Sequence, residues 1–234
     1  FKELDFSNLL MSLSGGMAAL DTTAKRWAEV TKSVIWQAYG LTETSPLVSV
    51  NDYKQTEFTG SVGLPAAFTE IEIRDENGNA LSETNAVGEL CVRGPQVMSG
   101  YWKSEVSGLD ENNWFMTGDI ARIDETGNIF IVDRKKDMII VSGFNVFPNE
   151  VEAVVNVHPA VLECGCVGII GEGSQELVKV FIVLHDGQTA SEDEIISFCR
   201  EKLTAYKVPK HIEFIKEIPK TNVGKVLRRE LKTN

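Results

Sequence analysis

From about residue 60 the chain adopts a period of two, and glycine-bearing turns cut the alternation into short runs. "TEIEIRDENGNAL" alternates polar and apolar residues up to Asn77-Gly78, and "VGELCVRG" follows as its partner strand, the pattern of a β-hairpin. "IARIDETGNIFIVD" repeats the pattern around Gly127. Such alternation buries one face of an antiparallel sheet and leaves the other wet, so residues 60–132 read as a mostly antiparallel β unit.

The flanking segments read differently. Upstream, "LDTTAKRWAEVTK" puts Ala24, Trp27, Ala28 and Thr31 on one helical face behind candidate caps Asp21 or Thr22, and the apolar strand "SVIWQAYG" follows. Downstream of the charge run "DRKKD", the segment "MIIVSGFNVF" forms a third hairpin around Ser142-Gly143. Pro148 then opens a helix with Val151, Val154 and Val155 on one face. Two buried strands follow, "VLECGCVGII" and "LVKVFIVLH". Ser191 and Glu194 form a capping box for a helix with Ile195, Ile196, Cys199 and Leu203 inward. A last strand, "HIEFIKEI", leads through "PKTNVGK" into a short basic helix. Residues 137–234 thus make a compact α+β unit.

Charge is divided unevenly. The whole chain carries a net charge of −11, yet residues 199–234 hold ten basic and four acidic residues. A basic tail on an acidic body suits a nucleic acid, a membrane surface or a phosphorylated small ligand. With only Tyr206 and Phe214 as aromatics and no nucleic-acid motif, the tail points to the small ligand and away from nucleic acid. Cys91, Cys164, Cys166 and Cys199 match no zinc or redox spacing, so they read as reduced core thiols of a cytoplasmic protein. No run approaches the roughly 20 apolar residues of a membrane span. The start at Phe1, without a charged-then-apolar leader pattern, suggests a piece of a longer protein.

Four short motifs carry chemistry. In "WQAYGLTETS", Tyr39 leaves a strand beside Gly40, where its ring can stack on a base, while Thr42 and Glu43 can reach a phosphate and its metal. In "WFMTGDIARI", Asp119 follows a glycine at a turn between two apolar segments, and such a carboxyl can accept ribose hydroxyls. "DRKKD" lies at the unit boundary as a candidate hinge, and Gly143 beyond it permits a close approach to a ligand. In "PKTNVGK", Lys225 on a polar loop can neutralise charge on a transferring phosphate. Singly, each has an ordinary structural explanation: a strand end, a turn aspartate, a solvated linker and a surface lysine.

Their joint order and approximate spacing resemble those of the adenylate-forming enzymes, the superfamily of acyl- and aryl-CoA synthetases, peptide-synthetase adenylation domains and luciferases. Longer strings, "YGLTETSPLVSVN", "GELCVRGPQVMSGYW", "VDRKKDMIIVSGFNVFPNEVE" and "YKVPKHIEFIKEIPKTNVGKVLRREL", are most similar to bacterial long-chain fatty acid–CoA ligases. The likeness runs from Leu4 nearly to the end. It implies α/β and α+β architecture: residues 1–132 as the C-terminal part of a large AMP-binding domain, with a β-barrel-like part at 60–132, then a hinge at 133–136 and a small mobile domain at 137–234.

The resemblance also implies a reaction and its residues. A long-chain fatty acid would be activated with ATP and Mg²⁺ to acyl-AMP, and CoA would then take the acyl group. Tyr39 would stack on adenine, and Gly15, Gly16 and Met17 would line the adenine and acyl side by main chain, next to Gly40. Thr42 would contact phosphate, Glu43 would hold Mg²⁺, and Asp119 and Arg134 would bind ribose. Lys136 is the hinge position, Gly143 lies on the CoA path, and Lys225 is the adenylation lysine.

The family's phosphate loop finds no counterpart here, since "SLSGGMAAL" lacks the following Lys-Ser or Lys-Thr, so residues 1–234 alone are expected not to form acyl-AMP. Another acyl- or aryl-CoA ligase, an adenylation domain, or an AMP-binding module without catalysis are the alternatives. A long fatty acid partitions into lipid, which goes with peripheral contact at the inner face of a membrane, though no amphipathic basic helix stands out. Oligomeric state leaves no mark on these residues.

Overall fold

The computed structural model describes residues 3–222 and 224–232. The chain forms two compact units, the first ending at Ile131 and the second beginning at Val132.

The first unit begins with a βαβ turn. Strand β1 (Ser12–Gly15) runs parallel to β2 (Ile35–Gly40), and helix α1 (Asp21–Thr31) makes the crossover. Ala24 and Thr31 supply the buried face of α1. Its N-cap is Leu20, without a side-chain cap, so neither Asp21 nor Thr22 plays the expected capping role. Asp21 is instead the first helical residue, where it pairs with Lys25 at 2.6 Å. Strands β3 (Leu47–Val50) and β4 (Leu64–Pro65) extend the sheet antiparallel.

A second sheet has the order β5 (Glu70–Arg74), β6 (Gly88–Arg93), β7 (Phe115–Ile123) and β8 (Ile129–Arg134). β5 pairs antiparallel with β6, from Glu70 opposite Arg93 to Arg74 opposite Glu89. The Asn77-Gly78 turn forms, with Gly78 at φ 84°, but it does not join these two strands directly. It closes a small loop in which Arg74 bridges Ala80, and residues 81–87 then carry the chain to β6. Asp75 stabilises that small loop by accepting N–H bonds from Asn77 and Asn79, a local solution that alternation alone does not reveal. Val48, Val62, Ile73, Leu90, Val92, Ala121 and Ile129 form the core, with Tyr39 packed against its edge.

The second unit opens with the hairpin of β9 (Ile139–Val141) and β10 (Phe144–Val146), whose tip residues Ser142 and Gly143 both have positive φ, as a primed turn requires. Helix α2 (Pro148–Val155) starts on its proline. A three-stranded sheet follows the order β11 (Val161–Ile170), β12 (Glu176–Leu184), β13 (His211–Phe214), with β13 parallel to β12. Period two sorts its side chains to two buried faces. Cys164, Cys166, Val178, Val180 and Ile182 join α2 and helix α3 (Glu192–Arg200), while Val167, Phe181 and Val183 meet Leu231 of helix α4 (Arg228–Leu231). The Ser191–Glu194 capping box on α3 forms as read from the sequence.

All four cysteines are buried and free. Burial pushes the Cys91 and Cys199 thiols up to about 11 and those of Cys164 and Cys166 well above the ordinary range. No helix among the described residues is long and apolar enough to cross a membrane.

Candidate functional site

Parallel strands present their last peptide groups at one edge of a sheet, and in open α/β sheets ligands bind beyond those carboxyl ends. β1 and β2 do this here, with Gly15 opposite Ala38, two residues before Gly40. Gly15, Gly16 and Met17 are exposed, and a Cβ added at Gly16 would meet nothing within 4 Å, so the backbone there is open to a ligand. The segment beyond is anchored by the buried Gln37, whose Oε1 accepts the Ala19 N–H at 3.1 Å and whose Nε2 donates to the Ser61 carbonyl at 3.0 Å.

The loop after β2 is equally constrained. A Cβ on Gly40 would lie 1.8 Å from the Pro46 carbonyl oxygen, so only glycine fits. The Leu41 N–H donates to that same oxygen at 2.9 Å. Thr44 is fully buried, donates from Oγ1 to Pro46 O at 2.7 Å and accepts the Leu41 N–H at 3.0 Å. Thr42 is left exposed on a single 3₁₀ turn, Thr42–Thr44. Glu43 beside it is held at both ends: its carbonyl accepts the Met98 N–H at 2.8 Å, and its Oε1 accepts the Tyr101 hydroxyl at 3.1 Å. Burial and this carboxyl raise the Tyr101 phenol above its ordinary range, keeping it a donor.

Tyr39 and Asp119, 80 residues apart, meet directly: the Tyr39 hydroxyl donates to Asp119 Oδ2 at 2.6 Å. Asp119 is not the turn residue expected from the sequence. It lies inside β7 and is only 3% exposed. Between the pairs Glu89–Ile120 and Cys91–Met116, the three residues Thr117, Gly118 and Asp119 oppose Leu90 alone, which is a β-bulge. Gly118 takes φ 72°, its N–H donates to Glu89 Oε1 at 3.1 Å, and the Asp119 N–H donates to Thr117 Oγ1 at 3.1 Å. Bulges re-aim a side chain, and this one turns Asp119 toward the end of β2.

The remaining candidates belong to the second unit. Arg134 ends β8 and is exposed, and Lys136 lies exposed in the 3₁₀ turn Lys135–Asp137. Gly143, at φ 83°, has nothing within 4 Å of an added Cβ. Lys225 is exposed on a closed loop: its N–H donates to Thr221 Oγ1 at 3.1 Å, and the Leu227 N–H donates to the Pro219 carbonyl at 2.8 Å.

The basic tail is only partly available to a ligand. Lys207 pairs with Glu150, Lys220 with Glu163 and Arg228 with Glu152, whereas the Lys225 ammonium has no carboxylate partner among the described residues.

Asp133, read from the sequence as part of a solvated charge run, is 1% exposed and accepts the N–H groups of Arg134 and Asn149, both at 2.7 Å. The second bond caps the first turn of α2, where a carboxyl suits the helix N-terminus. Burial pushes the Asp133 carboxyl up, against the pull of those N–H groups and of Arg228. The motifs that contain Gln37, Thr44, Tyr101 and Asp133 assign them no role, and Gln37, Tyr101 and Asp133 are marked only by partners distant along the chain.

A family model for AMP-binding enzymes matches residues 1–102, and the model for the AMP-binding enzyme C-terminal domain matches residues 150–225. The chain belongs to the AMP-binding enzyme family. The chain is 51% identical over 234 residues to a long-chain-fatty-acid–CoA ligase of Escherichia coli O157:H7, covering 99% of this chain and 41% of that protein. A Bacillus subtilis long-chain-fatty-acid–CoA ligase is 40% identical, covering 97% of this chain and 41% of that protein. The chain therefore spans about two fifths of the length of these relatives.

Among solved structures, ATP-bound MatB from Rhodopseudomonas palustris superposes with a TM-score of 0.90 at 30% identity, covering 95% of this chain and 45% of that one. The anthranilate CoA ligase AuaEII, in complex with anthranoyl-AMP, gives a TM-score of 0.86 at 32% identity, covering 99% of this chain and 45% of that one.

The residues suit the ligands of such enzymes. Among the described residues no group of three metal-ligating side chains occurs, so a resident metal cage is absent from them. A single carboxylate, Glu43, with its neighbouring hydroxyl is the donor set expected where Mg²⁺ arrives on a nucleotide's phosphates and keeps several waters.

Proposed function

We propose that this chain is the C-terminal part of an AMP-forming long-chain fatty acid–CoA ligase. The observation that carries the reading is the 51% identity, over nearly the whole chain, to a protein named for that activity. The Tyr39–Asp119 contact at the end of β2 supports it, because it brings a ring for the base and a carboxyl for the ribose to one strand end.

On this reading the ring of Tyr39 packs against adenine, with the open peptide groups of Gly15, Gly16 and Met17 alongside and Gly40 giving room at the strand end. Asp119 accepts the ribose hydroxyls, with Arg134 as the second ribose contact. Thr42 donates to a phosphate. Glu43 would hold Mg²⁺, which would supply positive charge against the phosphates. A fatty carboxylate oxygen attacks the α-phosphorus, the bond to the β-phosphate oxygen breaks, and pyrophosphate leaves. Lys225 acts where negative charge accumulates on the transferring phosphoryl group, the place at which a preorganised cation contributes most. The CoA thiol, entering past Gly143, then attacks the acyl carbonyl and AMP departs.

The domain assignment made from the sequence is retained as part of the proposal: residues 1–132 from the large domain, 133–136 as hinge with Lys136 as pivot, and 137–234 as the mobile domain. The free thiols support a reducing, cytoplasmic setting, with any contact at the inner membrane face peripheral and brought about by the lipid substrate.

The test is a chimera in which residues 1–234 replace the matching part of the E. coli ligase. We expect palmitate-dependent ATP–pyrophosphate exchange and palmitoyl-CoA formation from the chimera, and neither from residues 1–234 alone. The likeness to a feruloyl-CoA synthase of Amycolatopsis, at 35% identity, makes an aryl acid the control substrate. A chimera that activates the aryl acid but not palmitate overturns the fatty-acid assignment, and exchange by residues 1–234 alone overturns the division of the site.

A further inference from the structure

Arg228 follows Lys225 with two residues between, and its surroundings are unlike those of the other tail cations. Its side chain is 14% exposed. Nη2 donates to Asn149 Oδ1 at 2.7 Å and to both carboxyl oxygens of Glu152 at 2.9 Å, while Nε donates to the Cys166 carbonyl at 3.2 Å. Nη1 lies 3.6 Å from Asp137 Oδ2. One guanidinium thus joins α2, β11 and the Lys135–Asp137 turn to the foot of the Pro219–Leu227 loop. Burial opposes its charge, but Glu152 and Asp133 outweigh that and hold it above its ordinary range.

These contacts occupy Nε and Nη2 and direct the guanidinium inward, to protein groups. Their geometric effect is on the loop. Helix α4 has four residues, far too few to be stable by itself, and its buried Leu231 is an apolar anchor without direction. A planar guanidinium in a fork of carboxyl and carbonyl oxygens does impose direction. The two arms of the loop above can transmit it, because Thr221–Lys225 and Pro219–Leu227 hydrogen bonds tie them to each other. The path from Arg228 to Lys225 is at most about 10 Å of chain.

We propose that Arg228 is the positioning residue of the lysine loop, acting on the adenylation step only through the placement of Lys225. The inference rests on the ligase reading above.

The experiment is a double-mutant cycle in the full-length enzyme carrying this chain. Arg228→Met and Arg228→Lys are made alone and with Lys225→Ala. Palmitate-dependent ATP–pyrophosphate exchange, thioester formation from supplied palmitoyl-AMP, and thermal unfolding are measured for each. Misplacing a catalytic group by about 1 Å can cost on the order of 10²-fold. Arg228→Met is therefore expected to lower kcat for exchange by about 10- to 100-fold, with KM for ATP and the thioester step changed less than about threefold. Arg228→Lys keeps the charge without the fork and is expected to recover only part of that loss. In the Lys225→Ala background, Arg228→Met is expected to change exchange by less than about threefold.

Should Arg228→Met fail to fold, Asn149→Ala, which removes one guanidinium contact without leaving a charge unpaired, enters the same cycle with the same expectation. Losses that multiply in the double variant, or equal losses in both half-reactions, overturn the proposal while leaving the ligase reading intact. A wild-type enzyme without acid-dependent exchange overturns the ligase reading, and this proposal with it.

Discussion

The candidate residues of the first unit and those of the second are held by different physics. At the ends of β1 and β2 the backbone itself is the constraint: Gly40 touches the Pro46 carbonyl, buried Thr44 ties the loop shut, and the Tyr39 hydroxyl is spent on Asp119. In the second unit Lys136, Gly143 and Lys225 are exposed on short turns, and next to the Lys136 and Lys225 turns Arg228 binds Glu152 and Asn149 while buried Asp133 caps the start of α2. Strand ends give contacts that stay put, which suits a base and a ribose. A lysine on a loop can be brought to bear at one step and withdrawn at another.

Several substitutions set this contrast at risk. The largest effect is expected from Lys225→Ala in the full-length enzyme: about 10²- to 10³-fold less ATP–pyrophosphate exchange, the usual loss for one transition-state charge contact, with thioester formation from acyl-AMP nearly unchanged. Equal losses in the two half-reactions would remove the distinction between stationary and delivered groups. Next comes Gly40→Ala, which drives a Cβ into a backbone oxygen and is expected to cost about 3 kcal/mol, the upper end for overpacking, as read by denaturant unfolding. A variant of unaltered stability would mean that the loop after β2 is not rigid.

Tyr39→Phe keeps the ring but removes the hydroxyl that reaches Asp119. It is expected to cost about 1–2 kcal/mol of stability while altering KM for ATP less than about threefold, since a base stacks on either ring. A large rise in KM with stability intact would instead assign the hydroxyl to the nucleotide. The smallest effect, about 1 kcal/mol, is expected from Ser191→Ala, which removes the α3 cap far from every candidate residue. Calorimetry should register it without any change in exchange rate.

Local pattern carried the elements. The Ser142-Gly143 hairpin, the Pro148 start of α2 and the Ser191–Glu194 box were legible because each depends on residues within four positions of one another. The expected cap at Asp21 or Thr22 and the direct Asn77-Gly78 hairpin were not met, because both readings extended a local signal one step beyond its range. The candidate site was legible as motif order, which located Tyr39, Thr42, Glu43, Asp119, Arg134, Lys136, Gly143 and Lys225 but not their surroundings.

By itself, then, the sequence determined the strands, helices and turns, and through ordered motifs the family, since periodicity and spacing are properties of neighbours along the chain. Tertiary structure alone decided that a bulge turns Asp119 onto Tyr39, that Tyr101 holds Glu43, that Asp133 is buried, and that Arg228 is tied to Glu152 while Lys225 lies exposed. The reason is physical: a charged residue's type fixes its chemistry, but its burial and partner depend on groups brought together from tens of residues away.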